Sequence, residues 1–167
     1  MITNLVQIRL LGEKKREENL RFRRFMKSHD HSDRILRRIA EDIEEQIDCT
    51  ECGNCCKVAT AVVTERDVER LARHLRVTPA RFLADYTEES EEEGRILRRT
   101  AAGCVFLDGT TCTVYDARPD ACQRFPHLVR GAGSIASRMW QMVDRACYCP
   151  IVYNSLQAFK AELGFKR

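Results

Sequence analysis

Nine cysteines in 167 residues are the side chains best able to do chemistry in this chain. Four of them fall in one octapeptide, Cys49-Thr-Glu-Cys52-Gly-Asn-Cys55-Cys56. A gap of two residues lets a tight turn aim two thiolates at one ion, with backbone N–H groups pointing at the sulfurs. Gly53 suits the second turn, because glycine tolerates positive φ. The remaining cysteines, Cys104, Cys112, Cys122, Cys147 and Cys149, are spread over the second half of the chain. Clustered thiolates of this kind hold soft or borderline metals rather than perform acid–base chemistry.

Two cofactors suit the octapeptide. Three cysteines at successive gaps of two match the ligand run of bacterial ferredoxins, in which a remote cysteine followed by proline also serves. Cys149-Pro150 has that form. A structural zinc site instead wants four ligands in a tetrahedron, often as two close pairs. Cys49/Cys52 with Cys104/Cys112, or Cys55/Cys56 with later cysteines, would supply them. Adjacent side chains such as Cys55 and Cys56 point in different directions, which suits two centres or one centre and a spare thiol. An iron–sulfur cluster and Zn(2+) both remain open.

The other polar residues add little chemistry. His29 and His31 sit in a charged hinge and are expected to be solvated; His74 lies beside the buried face of a helix and is expected to be structural. His127 follows Phe125-Pro126, close to Cys122, and is a candidate ligand or hydrogen-bond donor to one. Arg118 and Arg124 flank Cys122, where they would form surface ion pairs or donate to thiolate sulfur. The chain has no Gly-x4-Gly-Lys phosphate loop and no His-Glu-x2-His metalloprotease helix, and Gly131-x-Gly133 is too little for a nucleotide loop. No catalytic acid–base set is visible.

Composition bounds the partners and the compartment. The net charge is +3, too small to imply a nucleic-acid partner. Charge is uneven: residues 13–38 carry ten Lys or Arg against five Asp or Glu, and residues 85–93 carry six acids and no base. Both are expected to be solvated local faces. Met1–Leu11 is interrupted by Asn4, Gln7 and Arg9 and lacks a leader's apolar run, and nothing approaches the roughly 18 apolar residues of a membrane span. A cytoplasmic location is therefore expected. Disulfides are rare there and cysteine groups more often bind metal.

These cysteines need elements to position them. Residues 13–48 read as two charged helices; Ser32 or Asp33 caps the second, whose stripe is Ile35, Leu36, Ile39, Ile43 and Ile47. Cys49–Lys57 reads as a cysteine-rich loop and Val58–Val63 as a short strand. Thr64 and Asp67 form a capping box for a helix that buries Val68, Leu71, Ala72 and Leu75. Thr78-Pro79 starts another, with Phe82, Leu83 and Tyr86 inside. The acidic run reads as a loop or solvated helix end. Arg95–Arg99 reads as a strand, and Cys104–Leu107 and Cys112–Tyr115 as a hairpin about Asp108-Gly109. Pro119 starts a single turn carrying Cys122. Pro150 precedes a last helix with Val152, Leu156, Phe159 and Leu163 on one face.

The octapeptide resembles the namesake motif of the CxxCxxCC cysteine-cluster family, also called YkgJ-type. So do the helix pair from Thr64 through Leu83, Cys104-Val105-Phe106-Leu107, Cys112-Thr113-Val114-Tyr115, and Arg118-Pro119-x2-Cys122 with Phe125-Pro126. Cys149-Pro150 matches the family's closing cysteine. The likeness spans about residues 45–152, five blocks in order; Cys147 is additional, Ile151 stands where glycine commonly follows Cys-Pro, and the basic N-terminal helices lie outside it. The resemblance implies a zinc- or iron-chelating domain whose relatives are often labelled iron–sulfur oxidoreductases, and a similar domain occurs in flagellin lysine N-methylases. It extends the metal set to Cys49, Cys52, Cys55, Cys56, Cys104, Cys112, Cys122 and Cys149, with Cys147 a bystander.

The expected fold is α+β: a helix-rich small single domain with a short β-hairpin and a metal-binding cysteine cluster. Residues 1–44 are expected to form a charged helical extension and residues 45–167 the metal-binding domain. The expected function is a cysteine-cluster protein holding an iron–sulfur cluster with a redox or electron-transfer role toward a protein partner. The alternatives are a zinc-stabilised interaction module without catalysis and a lysine N-methylase-like enzyme; a membrane or nucleic-acid partner is not expected.

Overall fold

The computed structural model describes residues 1–166. In chain order the helices are α1 (Leu5–Lys14), α2 (Arg16–Ser28), α3 (Asp33–Glu44), α4 (Cys49–Cys52), α5 (Asn54–Val58), α6 (Glu65–Leu75), α7 (Pro79–Tyr86), α8 (Asp120–Gln123), α9 (Ile135–Arg145) and α10 (Pro150–Glu162). The strands are β1 (Thr87–Ser90), β2 (Gly94–Leu97), β3 (Arg99–Thr100), β4 (Gly103–Cys104), β5 (Leu107–Asp108) and β6 (Thr111–Cys112), and Tyr115–Ala117 forms a 3-10 turn. This is a helix-rich α+β fold, as expected. The chain divides into two compact units, Met1–Asp48 with Pro126–Arg167, and Cys49–Phe125.

The first unit is a helical assembly of α1, α2, α3, α9 and α10. All of these helices but α2 start where the sequence supplies a cap or a proline. Asn4 accepts from the Gln7 N–H, Ser32 from Ile35 and Ser134 from Ser137, and Pro150 opens α10, where its missing N–H costs nothing. Ile8, Phe22, Met26, Leu36, Met139, Met142, Leu156 and Phe159 are buried to within 1% exposure, so the unit owns a continuous apolar core. At Gly12 a Cβ would stand 2.6 Å from the Ala146 carbonyl oxygen, so only glycine lets α1 come this close to that backbone. Buried Lys160 donates to Glu18 and Asn19 at 2.7 and 2.6 Å, as a buried ammonium requires. The expected stripe on α3 is realised at Leu36, whereas Ile35 is exposed and Ala40 takes an inside position. The sequence reading did not foresee α1 or α9.

The second unit is built from smaller pieces. The Thr64–Asp67 capping box is formed, and α6 and α7 pack Val68, Leu71, Ala72 and Phe82 into a small cluster with Val63, Leu97, Phe106 and Val114. Phe82, Tyr86 and Phe106 stack at centroid distances of 5.1–6.4 Å. Three two-stranded antiparallel pairs follow: β1 with β2, β3 with β4, and β5 with β6.

Four local expectations are corrected. Cys49–Lys57 is not a loop but the two short helices α4 and α5, joined at Gly53 with φ +56. Val58–Val63 is not a strand: α5 takes Val58, and only Val62 bridges to Ile96. The acidic run is a strand and turn, because Glu89 lies opposite Arg95 in the register and pairs with it, cancelling charge that would oppose pairing. The hairpin of residues 104–115 is reduced to the β5–β6 pair about the two-residue loop Gly109-Thr110, with Cys104 on β4 paired instead to Arg99. No described helix is long and apolar enough to cross a membrane.

Candidate metal centre

The second unit holds seven of the nine cysteines, and its short elements place each of them. Cys49 and Cys52 begin and end α4, and Cys55 and Cys56 lie on α5. Gly53 must be glycine twice over: its φ is positive, and a Cβ there would stand 2.7 Å from the Thr110 carbonyl oxygen. This close approach seats the octapeptide against the β5–β6 hairpin that carries Cys112. Gly103, with φ +128, does the same on the other side: a Cβ would meet the Cys56 carbonyl oxygen at 2.6 Å. Cys104 is thereby brought beside Cys56. Arg99 ties the same corner by donating to the carbonyls of Lys57, at 2.7 Å, and Ala59.

Cys104 and Cys112 are held alike. The Phe106 N–H donates to the Cys104 sulfur and the Val114 N–H to the Cys112 sulfur, each from two residues onward. The following residues anchor the core, Phe106 at 5% exposure and Val114 at 1%. The two strings Cys104-Val-Phe-Leu-Asp108 and Cys112-Thr-Val-Tyr-Asp116 are the same device eight positions apart. That repeat was legible as Cys-x-apolar-apolar-Asp. The sequence reading missed it because the hairpin turn between the strings suggested one continuous element.

The electrostatics show which thiols are neighbours. Burial first, and then the negative charges that Cys56, Cys104 and Cys112 would carry, push the Cys122 thiol up to about 12. Burial also raises Cys104 and Cys112, and Cys56 opposes the charge on both. Cys56 moves the other way. A hydrogen bond with the Cys55 thiol, sulfur to sulfur 4.0 Å, lowers it to about 7, helped by the Arg118 and Arg99 guanidiniums. Cys56, Cys104, Cys112 and Cys122 thus form one mutually repelling set when ionised. A cation at their centre removes that repulsion.

The donor set fits a metal on chemistry: soft sulfurs, already offered N–H hydrogen bonds, with two fixed guanidiniums near. Among the described residues none of the nine cysteines is joined in a disulfide. Nor does any group of three His, Cys, Asp or Glu side chains among them already stand at ion-holding spacing. The structure brings the thiols within reach of one another's charge without closing them into a cage.

The other expected residues fall elsewhere. Cys149 belongs to the first unit, buried at the N-cap of α10. Cys147 is there too, its sulfur 3.7 Å from the Val143 carbonyl and 3.8 Å from Arg16; burial and then Glu13 together lift it to about 11. His29 is exposed and stacks on Phe25 at 4.1 Å. His31 is half-buried and its Nδ1 has no hydrogen-bond partner among the described residues, so it is less solvated than expected. His74 is exposed on α6, not structural: Leu71 and Leu75 of the same turn take the core side and His74 points outward. Arg118 lies over the Tyr115 ring at 3.6 Å, and Arg124 pairs with Asp120 at 3.0 Å.

Residues 48–150 match the family model CxxCxxCC, described as "Putative zinc- or iron-chelating domain". The chain belongs to the CxxCxxCC family. The match begins just before Cys49 and ends at Pro150, so it takes in every cysteine of the chain, Cys147 included. Metal binding through zinc or iron is the function this membership supports. No solved structure matches the chain.

Proposed function

We propose that this CxxCxxCC protein carries an iron–sulfur cluster on its cysteine thiolates and passes electrons to or from a protein partner in a reducing, cytoplasmic setting. The observation that carries the reading is the shared environment of Cys56, Cys104, Cys112 and Cys122. Their charges oppose one another, backbone N–H groups already donate to two of the sulfurs, and Arg99 and Arg118 supply positive charge beside them. N–H···S bonds and nearby cations are the levers by which a protein raises a cluster's potential. Cys49 is exposed and Cys52, Cys55 and Cys56 are part-exposed, which keeps the path to a partner short.

The spacing favours a cluster over a single ion. One tetrahedral zinc and one iron–sulfur cluster each use four thiolates, but the successive gaps of two at Cys49, Cys52 and Cys55 are the ligand run of a cluster. We propose Cys49, Cys52, Cys55, Cys56, Cys104, Cys112 and Cys122 as ligands; Cys149 belongs to the other compact unit. Bound iron–sulfur would supply one-electron chemistry; the chain's own residues position the sulfurs, donate to them and offset their charge.

The second reading, a zinc-stabilised interaction module, rests on the same four thiols taken alone, because four sulfurs satisfy one tetrahedral ion. Metal analysis and the absorption spectrum of anaerobically purified protein separate the two. A brown protein with iron and acid-labile sulfide supports the cluster, and a colourless one with stoichiometric zinc supports the module. Cys52→Ser should lose metal and solubility together, while Cys147→Ser should be milder. Equal metal in both variants and the parent defeats the ligand set.

A further inference from the structure

Cys122 sits on a support that cannot hold itself. α8 has only four residues and the 3-10 turn before it three, both too short to persist alone in water. Pro119 fixes φ between them but contributes no N–H. Their position must be set from outside, and the structure shows how.

The Asp67 side chain is 1% exposed, and its two oxygens do different work. Oδ2 closes the cap of α6, accepting from the Thr64 N–H at 3.0 Å and the Thr64 hydroxyl at 2.7 Å. Oδ1 is not needed there. It accepts from the Asp120 N–H at 3.0 Å, so a carboxylate on α6 caps the first turn of α8. It also accepts from Arg70, one turn further along α6. The Arg70 guanidinium then reaches the carbonyls of Arg118, at 2.9 Å, and Ala117, at 3.3 Å, and lies 3.6 Å from the Asp120 carboxylate. Four groups of residues 117–120 are thus gripped from a single helix face, two positions before Cys122.

We propose that Asp67 and Arg70 form a clamp that positions Cys122 against Cys56, Cys104 and Cys112, and so sets the metal affinity of the centre. The inference rests on the proposed role of those thiols, and it assigns residues outside the cysteine motif to the same site. Neither residue touches metal; both act through the ligand. A bland account makes the pair a helix cap and a surface ion pair. That account leaves the Oδ1 bond to Asp120 and the two Arg70–carbonyl bonds without a purpose. The sequence hint was an Asp and an Arg at i, i+3 on a helix with no ligand of its own, which reads as an ordinary ion pair.

The test uses the full chain as parent, Arg70→Ala, Cys122→Ser and the double variant, with Arg70→Lys as a second probe. Arg70 is half-exposed and the α6 cap does not use it, so its loss spares the core. Cobalt(II) alone is titrated against a competing chelator, and thiolate-to-cobalt absorption is followed. Separately, the metal-free proteins are treated with iodoacetamide, and alkylation at each cysteine is read by mass spectrometry. Arg70→Ala should weaken cobalt binding roughly tenfold, the lower end of what supporting residues contribute, and Arg70→Lys by less. In the Cys122→Ser background, Arg70→Ala should cause no further loss. Cys122 should also be alkylated several times faster relative to Cys104 once Arg70 is gone. Equal cobalt losses in both backgrounds, or unchanged alkylation of Cys122, overturn the clamp. A parent chain that takes up no cobalt sinks the metal reading instead, and the alkylation comparison still decides whether Arg70 holds Cys122.

Discussion

The two compact units are stabilised by different physics. Among the described residues, the fully buried Leu71 and Phe82 lie in the Cys49–Phe125 unit. The other unit fully buries Ile8, Phe22, Leu36, Met139, Leu156 and Phe159 on helices of 10–13 residues. Its order follows from ordinary apolar burial at about 25 cal/mol per Å². The cysteine unit has two substantial helices, three two-stranded pairs and three helices of four or five residues. Two of its strand pairs are only two residues long, below what is independently stable. Carbonyl-directed arginines, glycine contacts and sulfur hydrogen bonds fill the gap, and a metal would complete it. The lesson is that cysteine spacing is a statement about stability as much as about chemistry.

Metal removal should break this comparison most sharply. Chelation of the loaded protein should abolish amide protection across residues 49–60 and 103–113 while leaving α2, α9 and α10, and the 117–123 segment held by Asp67 and Arg70, protected. Structural metal in small sites supplies on the order of 10 kcal/mol of folding free energy, so the effect should be nearly complete locally. Hydrogen exchange read by mass spectrometry checks it. Loss of protection spread evenly over both units would show that the cysteine unit has no separate dependence on metal.

The converse substitution is next in size. Phe159 is fully buried on α10, and Phe159→Ala should destabilise the first unit by about 3–5 kcal/mol through lost burial and a residual cavity. Metal per purified chain should not change. A urea titration with parallel metal analysis makes the measurement; a proportional fall in metal would mean the units share one stability.

Both expectations draw on features of unequal legibility in the sequence. The capping box at Thr64–Asp67, the Thr78-Pro79 start and the Cys49–Cys56 octapeptide were readable because each is a local pattern with a local cause. α9 was equally local: Ser134 caps it, and Ile135, Met139, Met142 and Val143 follow at helical spacing. Gly131 and Gly133, just before its cap, mask it, because paired glycines ordinarily punctuate a loop. The short strand pairs were not legible in principle. Two-residue strands have no period to detect, and their partners are chosen by contacts such as Gly103 against Cys56. Likewise the spacing named the cysteines, but which four thiols feel one another is a tertiary fact. So is the Asp67–Asp120 bond, made between residues 53 apart.

That bond gives a smaller, pH-dependent effect. Burial alone would raise the Asp67 carboxyl, but hydrogen bonds from Thr64 and Asp120 with the Arg70 charge outweigh it and hold it below the usual carboxylate range. Its folded form therefore binds fewer protons than the unfolded chain as pH falls. The stability it contributes is whole above about pH 4, the unfolded carboxyl range, and is lost as pH drops through the lower folded value. Asp67→Asn should cost about 1–3 kcal/mol at neutral pH and flatten the acid limb below pH ~4. Urea melts of metal-free protein across that range measure this without interference from thiolate protonation. An unchanged acid limb would mean that the carboxylate's charge is not what its partners stabilise.

The smallest effect asks whether the cysteine unit is tight everywhere or only around its sulfurs. Gly109 has φ +62, and a Cβ there would meet nothing within 4 Å, unlike the 2.6–2.7 Å approaches at Gly103 and Gly53. Gly109→Ala should therefore carry only the backbone cost of a left-handed non-glycine residue, about 1 kcal/mol, with metal content intact. Gly103→Ala adds a collision with the Cys56 backbone and should lose metal as well, because the strand that carries Cys104 must move away. Metal content and urea midpoints of the two variants, side by side, give the contrast. If Gly109→Ala loses as much metal as Gly103→Ala, the hairpin tip is as constrained as the sulfur neighbourhood, and the unit's order does not concentrate where its cysteines meet.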